Sequence, residues 1–136
     1  MIFIYKIYMK ITKFFFHIIN LLFLIFYLYP GSILGFLLYR DIYKQPQVTS
    51  DFTFSFLKFS SNHVYAFVII TCLGLISYVN KGKIITIYFI FLSIFLELSH
   101  LIIPNRSFQF DDLFGNIIGV LISVLIIKIY SFLEKK

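Results

Sequence analysis

The amino-acid sequence predicts an all-α integral membrane bundle of four transmembrane helices, with both chain ends in the cytoplasm. Three observations carry this prediction. Of 136 residues, 60% are hydrophobic and only 13% charged, and the mean hydropathy is +0.94. A soluble domain carries about 25% charged residues, so this chain lacks the charge to cover a water-facing surface. The apolar residues gather into four long stretches separated by polar turns, and the basic residues divide unequally between the two ends of those stretches.

The elements follow in order. Residues 1–13 form a basic N-terminus carrying Lys6, Lys10 and Lys13. The membrane domain covers residues 14–130, and its first span runs over 14–30. A span needs roughly 20 residues, and about 17 suffice. The stretch is too long for the apolar region of a signal peptide and lacks a small-x-small site after it, so it reads as an uncleaved span. Pro30-Gly31 should end or kink the helix. Residues 32–39 (SILGFLLY) are too short to span; they either continue the first helix beyond the kink or lie in the interface. An outer loop follows at 40–62, marked by Pro46 and a Thr/Ser/Asp cluster. Within it Phe52, Phe54 and Phe56 alternate with Thr53 and Ser55, which favours aromatics dipping into the headgroup zone over a short strand. The second span covers 63–79, a basic turn Asn80-Lys81-Gly82-Lys83 reverses the chain, and the third span covers 84–103. A second outer loop, 104–112, leads into the fourth span, 113–130, and residues 131–136 form a cytoplasmic tail.

Orientation follows from Lys and Arg near span ends. Eight lie on one side (Lys6, Lys10, Lys13, Lys81, Lys83, Lys128, Lys135 and Lys136) and four on the other (Arg40, Lys44, Lys58 and Arg106). The richer side is the cytoplasmic one. The net charge of +6 therefore reads as an orientation signal, and no nucleic-acid partner is expected. Cys72, the single cysteine, lies in an apolar run and reads as a buried inert thiol. No phosphate-binding Gly loop, nucleophile elbow, zinc-protease helix or deaminase motif is present, and no cofactor is expected.

The polar residues that remain concentrate in residues 97–119, ELSHLIIPNRSFQFDDLFGNIIG. Glu97 falls inside the third span, about two turns from its outer end, where an acid costs about 2.5–3.5 kcal/mol on insertion scales. It calls for a partner. His100, three residues on, shares its face, and Arg106 in the loop is placed to fold back onto Glu97. Asp112 and Asn116 share a face at the start of the fourth helix, which Asp112 is placed to cap. Two readings stand. In one, Glu97–Arg106 and Asp112–Asn116 form a clasp that fastens two helices. In the other, these groups line an outward polar pocket for a phosphate, amine or sugar headgroup. His63, at the head of the second span, sits on the same side and joins the cluster in the second reading. The spacing of these residues does not show a metal site, and none is expected. His17 lies far from the cluster and reads as a packing residue. Gly115, Gly119 and Ser123, each four apart, form a small-residue stripe assigned to packing within the bundle.

The 97–119 cluster resembles the signature of the VanZ-like family, small bacterial membrane proteins usually of four spans. Glu97, Arg106, Asp112, Asn116 and Gly119 fit the family positions, and Pro104 and Ser107 fit its loop. His100 stands where Gln is usual, and the Asp-Lys-x-x-His approach to the second span appears as Phe59-Ser60-Ser61-Asn62-His63, which keeps the His alone. The resemblance covers roughly residues 59–122. It implies a multi-pass protein of the bacterial cytoplasmic membrane. The expected function is an envelope protein whose pocket, built from His63, Glu97, His100, Arg106, Asp112 and Asn116, binds or modifies an envelope lipid or glycan precursor. Arg106 would hold an anionic group, and Glu97 and His100 are the candidate proton-moving pair. The alternative is a non-catalytic scaffold or accessory subunit with a membrane-protein partner, in which the cluster is structural. A transporter is weaker, since no paired broken helices or inverted repeat is evident.

Overall fold

The computed structural model describes the backbone of residues 2–134 and the side chains of residues 7–134. The chain is mostly helical. Among the described residues, five α-helices occur in the order α1 (Ile2–Leu28), α2 (Ile33–Tyr39), α3 (Ser61–Ser77), α4 (Gly82–Ser99) and α5 (Phe110–Leu133). A two-stranded hairpin, β1 (Phe52–Phe54) and β2 (Leu57–Phe59), precedes α3.

Among the described residues, three helical stretches are long and apolar enough to cross a membrane: Ile7–Leu28, Val79–Ser99 and Phe110–Leu133. The stretch expected at 63–79 is α3, which is apolar but only 17 residues long. At 1.5 Å per residue it measures about 25 Å, against about 30 Å of bilayer hydrocarbon. α3 is also the central helix. It packs on α1, α4 and most extensively α5, and Val64, Phe67, Ile70, Thr71, Gly74 and Leu75 along it are buried. The outer helices carry the exposed apolar surface, with Phe14, Phe91, Phe95, Leu125 and Ile129 facing outward. The core is a column of rings and branched side chains: Phe16, Phe67, Ile70, Phe89, Leu96 and Val120.

Several expectations shift. α1 begins at Ile2, so the helix that holds the expected first span also takes in the basic N-terminus, where no Pro or Gly interrupts it. Lys10 and Lys13 therefore ride on the helix; the Lys13 ammonium lies 5.0 Å over the Tyr78 ring. The Lys6 side chain, Lys135 and Lys136, part of the orientation count, lie outside the described residues. Of the two readings of residues 32–39, continuation of α1 is excluded. Gly31, at φ +103°, turns the chain, Ser32 caps α2 through Gly35 N–H, and α2 is a separate short helix. The preferred reading of 52–56 gives way to a real hairpin. Phe52 pairs with Phe59, Thr53 with Lys58 and Phe54 with Leu57, with Ser55 at φ +54° in the turn. β-Branched and aromatic residues at alternating positions suit that pairing.

α4 ends at Ser99, not at 103, which leaves His100 at its C-cap and Glu97 in its last turn. α5 starts at Phe110 with Gln109 at the N-cap. Asp112 is thus a first-turn residue instead of the cap, still favourably placed at the positive end of the helix dipole.

The small-residue stripe sets how closely α3 and α5 approach. A Cβ built on Gly119 would stand 2.7 Å from the Phe67 Cβ and 2.7 Å from the Val64 carbonyl oxygen. Ser123 Oγ donates to the Val68 carbonyl at 3.1 Å across the same contact.

Candidate functional site

The candidate site forms where the α1 C-terminus, the α3 N-terminus, the α4 C-terminus and the α5 N-terminus meet. Helix ends expose orphan carbonyls and N–H groups, so polar side chains collect there. The fixing of α3 shows how. The Ser61 N–H is taken by Asp51 Oδ1 at 3.1 Å, and Ser60 N–H by the Asp111 carbonyl at 3.0 Å. Lys58 then bridges Asp51 (3.1 Å) and Asp111 (3.6 Å), tying the hairpin to α5. Burial raises the Asp51 carboxyl, but the Ser61 N–H, Lys58 and Gln47 outweigh it and hold it below its ordinary value. Asn62 sews the 46–48 segment down through bonds to the Pro46 carbonyl and the Val48 N–H.

All six predicted polar residues converge, though not in the pairs expected. Glu97 is fully buried, and of the two partners foreseen for it only His100 stands beside it. Its Oε1 accepts from the Gln109 N–H at 2.9 Å and faces His100 Nδ1 at 3.4 Å. The expected Glu97–Arg106 bond is absent among the described residues. Arg106 turns instead to the broken end of α1, donating from Nε to the Tyr29 carbonyl and from Nη2 to the Phe26 carbonyl, both at 3.2 Å. Pro30 and Gly31 stop α1 there and leave those carbonyls open, which is why the guanidinium prefers them. Burial lowers the Arg106 guanidinium from its ordinary value, against the pull of Tyr27, Asp112 and Glu97. An arginine stays charged regardless, and three of its five N–H donors remain for a ligand after these two bonds.

The expected Asp112–Asn116 pair also separates. Asp112 Oδ2 faces His63 Nε2 at 3.5 Å. Asn116, fully buried, accepts through Oδ1 from the Tyr27 hydroxyl at 2.7 Å, and the same oxygen lies 3.0 Å from His63 Nδ1. Tyr27 is the residue sequence reasoning missed. Its hydroxyl also bonds His63 Nδ1, and its ring stacks on His100 with centroids 5.4 Å apart and planes 11° apart. One tyrosine among ten in an apolar span carries no signal of this role. Gln109, whose backbone N–H satisfies Glu97, was likewise unforeseen.

A cavity of about 360 Å³ opens beside this network. Its walls are mainly apolar, from Phe23 and Phe26 of α1, Ile33 and Leu34 of α2, Val48, and Ala66 of α3. His63, His100 and Arg106 line it together with Ser32, Gln45 and Asn62, while Glu97, Asp112 and Asn116 do not. The pocket is thus amphipathic rather than polar throughout. Gly115, Gly119 and Ser123 lie outside it, against α3. His17, far from the cluster, packs against the Tyr78 ring as expected and also bonds that residue's hydroxyl at 2.8 Å. No metal site was expected, yet a nitrogen of His63 and oxygens of Glu97 and Asp112 lie within 4.8 Å of one another.

The family model described as VanZ/LLP1 matches residues 3–131. No curated protein and no solved structure matched the chain. The match spans nearly the whole chain, and the chain belongs to the VanZ/LLP1 family.

Proposed function

We propose that this VanZ-family membrane protein binds an envelope lipid or lipid-linked glycan precursor in the amphipathic cavity. The observation that supports the reading is the wall composition: a mainly apolar lining from α1, α2 and α3 that also carries polar groups, His63, His100 and the cationic Arg106 among them. An acyl or prenyl chain would occupy the apolar part. An anionic headgroup would take the free donors of Arg106, a planar fork suited to phosphate. The volume falls within the range of about 300–1,000 Å³ typical of ligand pockets. In this reading the chain crosses the bacterial cytoplasmic membrane four times, α3 being the short central span, and the cavity faces outward. Glu97 and His100, 3.4 Å apart, are the pair placed to exchange a proton if the bound molecule is also modified.

A second reading has its own support. The Tyr27–His63–Asn116 bonds tie α1, α3 and α5 together inside the bundle, as a structural clasp in a scaffold or accessory subunit would. Lipids co-purifying with wild-type protein and with Arg106→Ala, identified by mass spectrometry, separate the two. The pocket reading expects an enriched anionic lipid that Arg106→Ala loses and Arg106→Lys keeps in part. A variant that folds and retains the same lipid profile overturns it in favour of the scaffold. Comparison of lipids in a deletion strain and its parent would then name the precursor.

A further inference from the structure

We infer that His63, Glu97 and Asp112 form a binding site for one divalent transition-metal ion of the zinc type. One nitrogen of His63 and one oxygen each of Glu97 and Asp112 already lie within 4.8 Å of one another. His63 Nε2 and Asp112 Oδ2 are 3.5 Å apart. A tetrahedral ion with bonds of about 2.0–2.1 Å holds its ligands about 3.3 Å apart, so this edge needs almost no adjustment.

A second observation is independent of the spacing. Glu97 is fully buried, and its Oε2 has no hydrogen-bond partner among the described residues. A buried carboxylate oxygen without a donor is costly, and Glu97 sits in the last turn of α4, where the helix dipole also disfavours an anion. The neighbouring Asp112 adds a second carboxylate rather than relief. A cation among the three groups answers each of these costs.

The orientation of His63 agrees. Tyr27 donates its hydroxyl hydrogen to Asn116 Oδ1, and that oxygen can only accept. With its ring hydrogen on Nδ1, toward that oxygen, His63 would offer the lone pair of Nε2 to an ion. Nε2 is the ring nitrogen that faces the Asp112 carboxylate. Metal-bound histidines commonly donate their far N–H to a fixed oxygen in this way. One imidazole and two carboxylates favour zinc-type ions over magnesium or calcium, which take oxygen ligands. Three protein ligands leave a fourth position open. Because His63 also borders the cavity, an anionic group held there has access to the ion.

The inference stands on the ligand set and does not depend on what fills the cavity. The test uses full-length, tag-free protein in detergent, stripped with chelator and supplied with no lipid. Cobalt(II) is titrated as a visible probe, and zinc is counted by elemental mass spectrometry after gel filtration. Wild type and His17→Gln should each bind about one ion per chain, with the intense visible bands of a tetrahedral cobalt site. His63→Gln, Glu97→Gln and Asp112→Asn should lose it, and Asn116→Ala should weaken it about 10- to 100-fold. Absence of stoichiometric ion from wild type overturns the inference whatever the variants do, so a variant that fails to fold does not protect it. Undiminished binding by a folded Asp112→Asn, or loss in His17→Gln, overturns it equally. Metal-free wild-type protein that still carries a specific lipid would overturn this site and leave the cavity reading standing. The converse result would do the reverse.

Discussion

The Tyr27 hydroxyl touches two helices besides its own, through Asn116 on α5 and His63 on α3, while its ring lies flat on His100. Tyr27→Phe keeps the stack and removes only the oxygen. It strands the buried Asn116 Oδ1 of one donor and frees the His63 ring to turn. A buried polar group left short of a partner costs about 1–3 kcal/mol, so the variant should unfold at lower temperature by circular dichroism. An unchanged midpoint would show that the network contributes nothing to the fold. The site's residue types were legible because ionisable groups in an apolar chain stand out. Their pairings were not. Spacing placed Glu97 near Arg106, but the choice of partner was settled by carbonyls of Phe26 and Tyr29, which belong to a helix end some eighty residues away in sequence. Backbone acceptors leave no trace in residue identity, and neither does the role of one tyrosine among ten.

Elements meet here by close approach and by clamps at their ends. At Gly119 the α3 backbone comes so near that a methyl group would meet the Phe67 Cβ and the Val64 carbonyl oxygen at 2.7 Å. Neither contact is the yielding tip of a long side chain. Gly119→Ala should therefore push α3 and α5 apart and cost about 1–3 kcal/mol, as overpacked cores do. Denaturant unfolding in mixed micelles measures it, and a neutral result would mean that the helices slide apart freely. The hairpin is the clamp at the other end of α3. Asp51 holds the Ser61 N–H and Lys58, and its carboxyl titrates below its ordinary value. A carboxyl depressed on folding contributes stability above its unfolded value of about 3.9, and that contribution fades as pH falls through the folded value. The Lys58 ammonium is raised by Asp51, so its share is present below the unfolded value of about 10.4 and fades as pH rises through the folded one. Proteolysis of the 40–62 loop should accordingly be slow between these limits and quicken in acid. In Asp51→Asn cleavage should be fast at every pH, whereas an identical pH profile in the variant would place the protection elsewhere.

At the scale of the whole chain, hydropathy made the helices legible, but it did not separate a lipid-facing helix from an enclosed one. α3 reads as apolar as its neighbours, yet it is the shortest of the long helices and the most enclosed. A central helix can be short because its neighbours line its ends, and because polar groups there, such as Ser61 and His63, are satisfied by protein rather than lipid. In the proposed four-span reading α3 crosses the membrane despite its 17 residues, and that crossing sets the sidedness of everything attached to it. With α3 crossing, the hairpin and Arg106 lie on one side, and the Asn80–Lys83 turn lies on the other with Lys128 near it in depth along α5. The basic residues are denser on the turn side, which in the proposed reading is the cytoplasmic one. A reporter active only in the cytoplasm should then work when fused after residue 136 and fail in the 40–62 loop, and an export-dependent reporter should do the opposite. Were α3 not to cross, the turn and the 40–62 loop would share a side, and a reporter inserted at residue 81 would behave like one in that loop. Agreement of those two insertions would overturn the four-span reading, and with it the outward opening of the cavity.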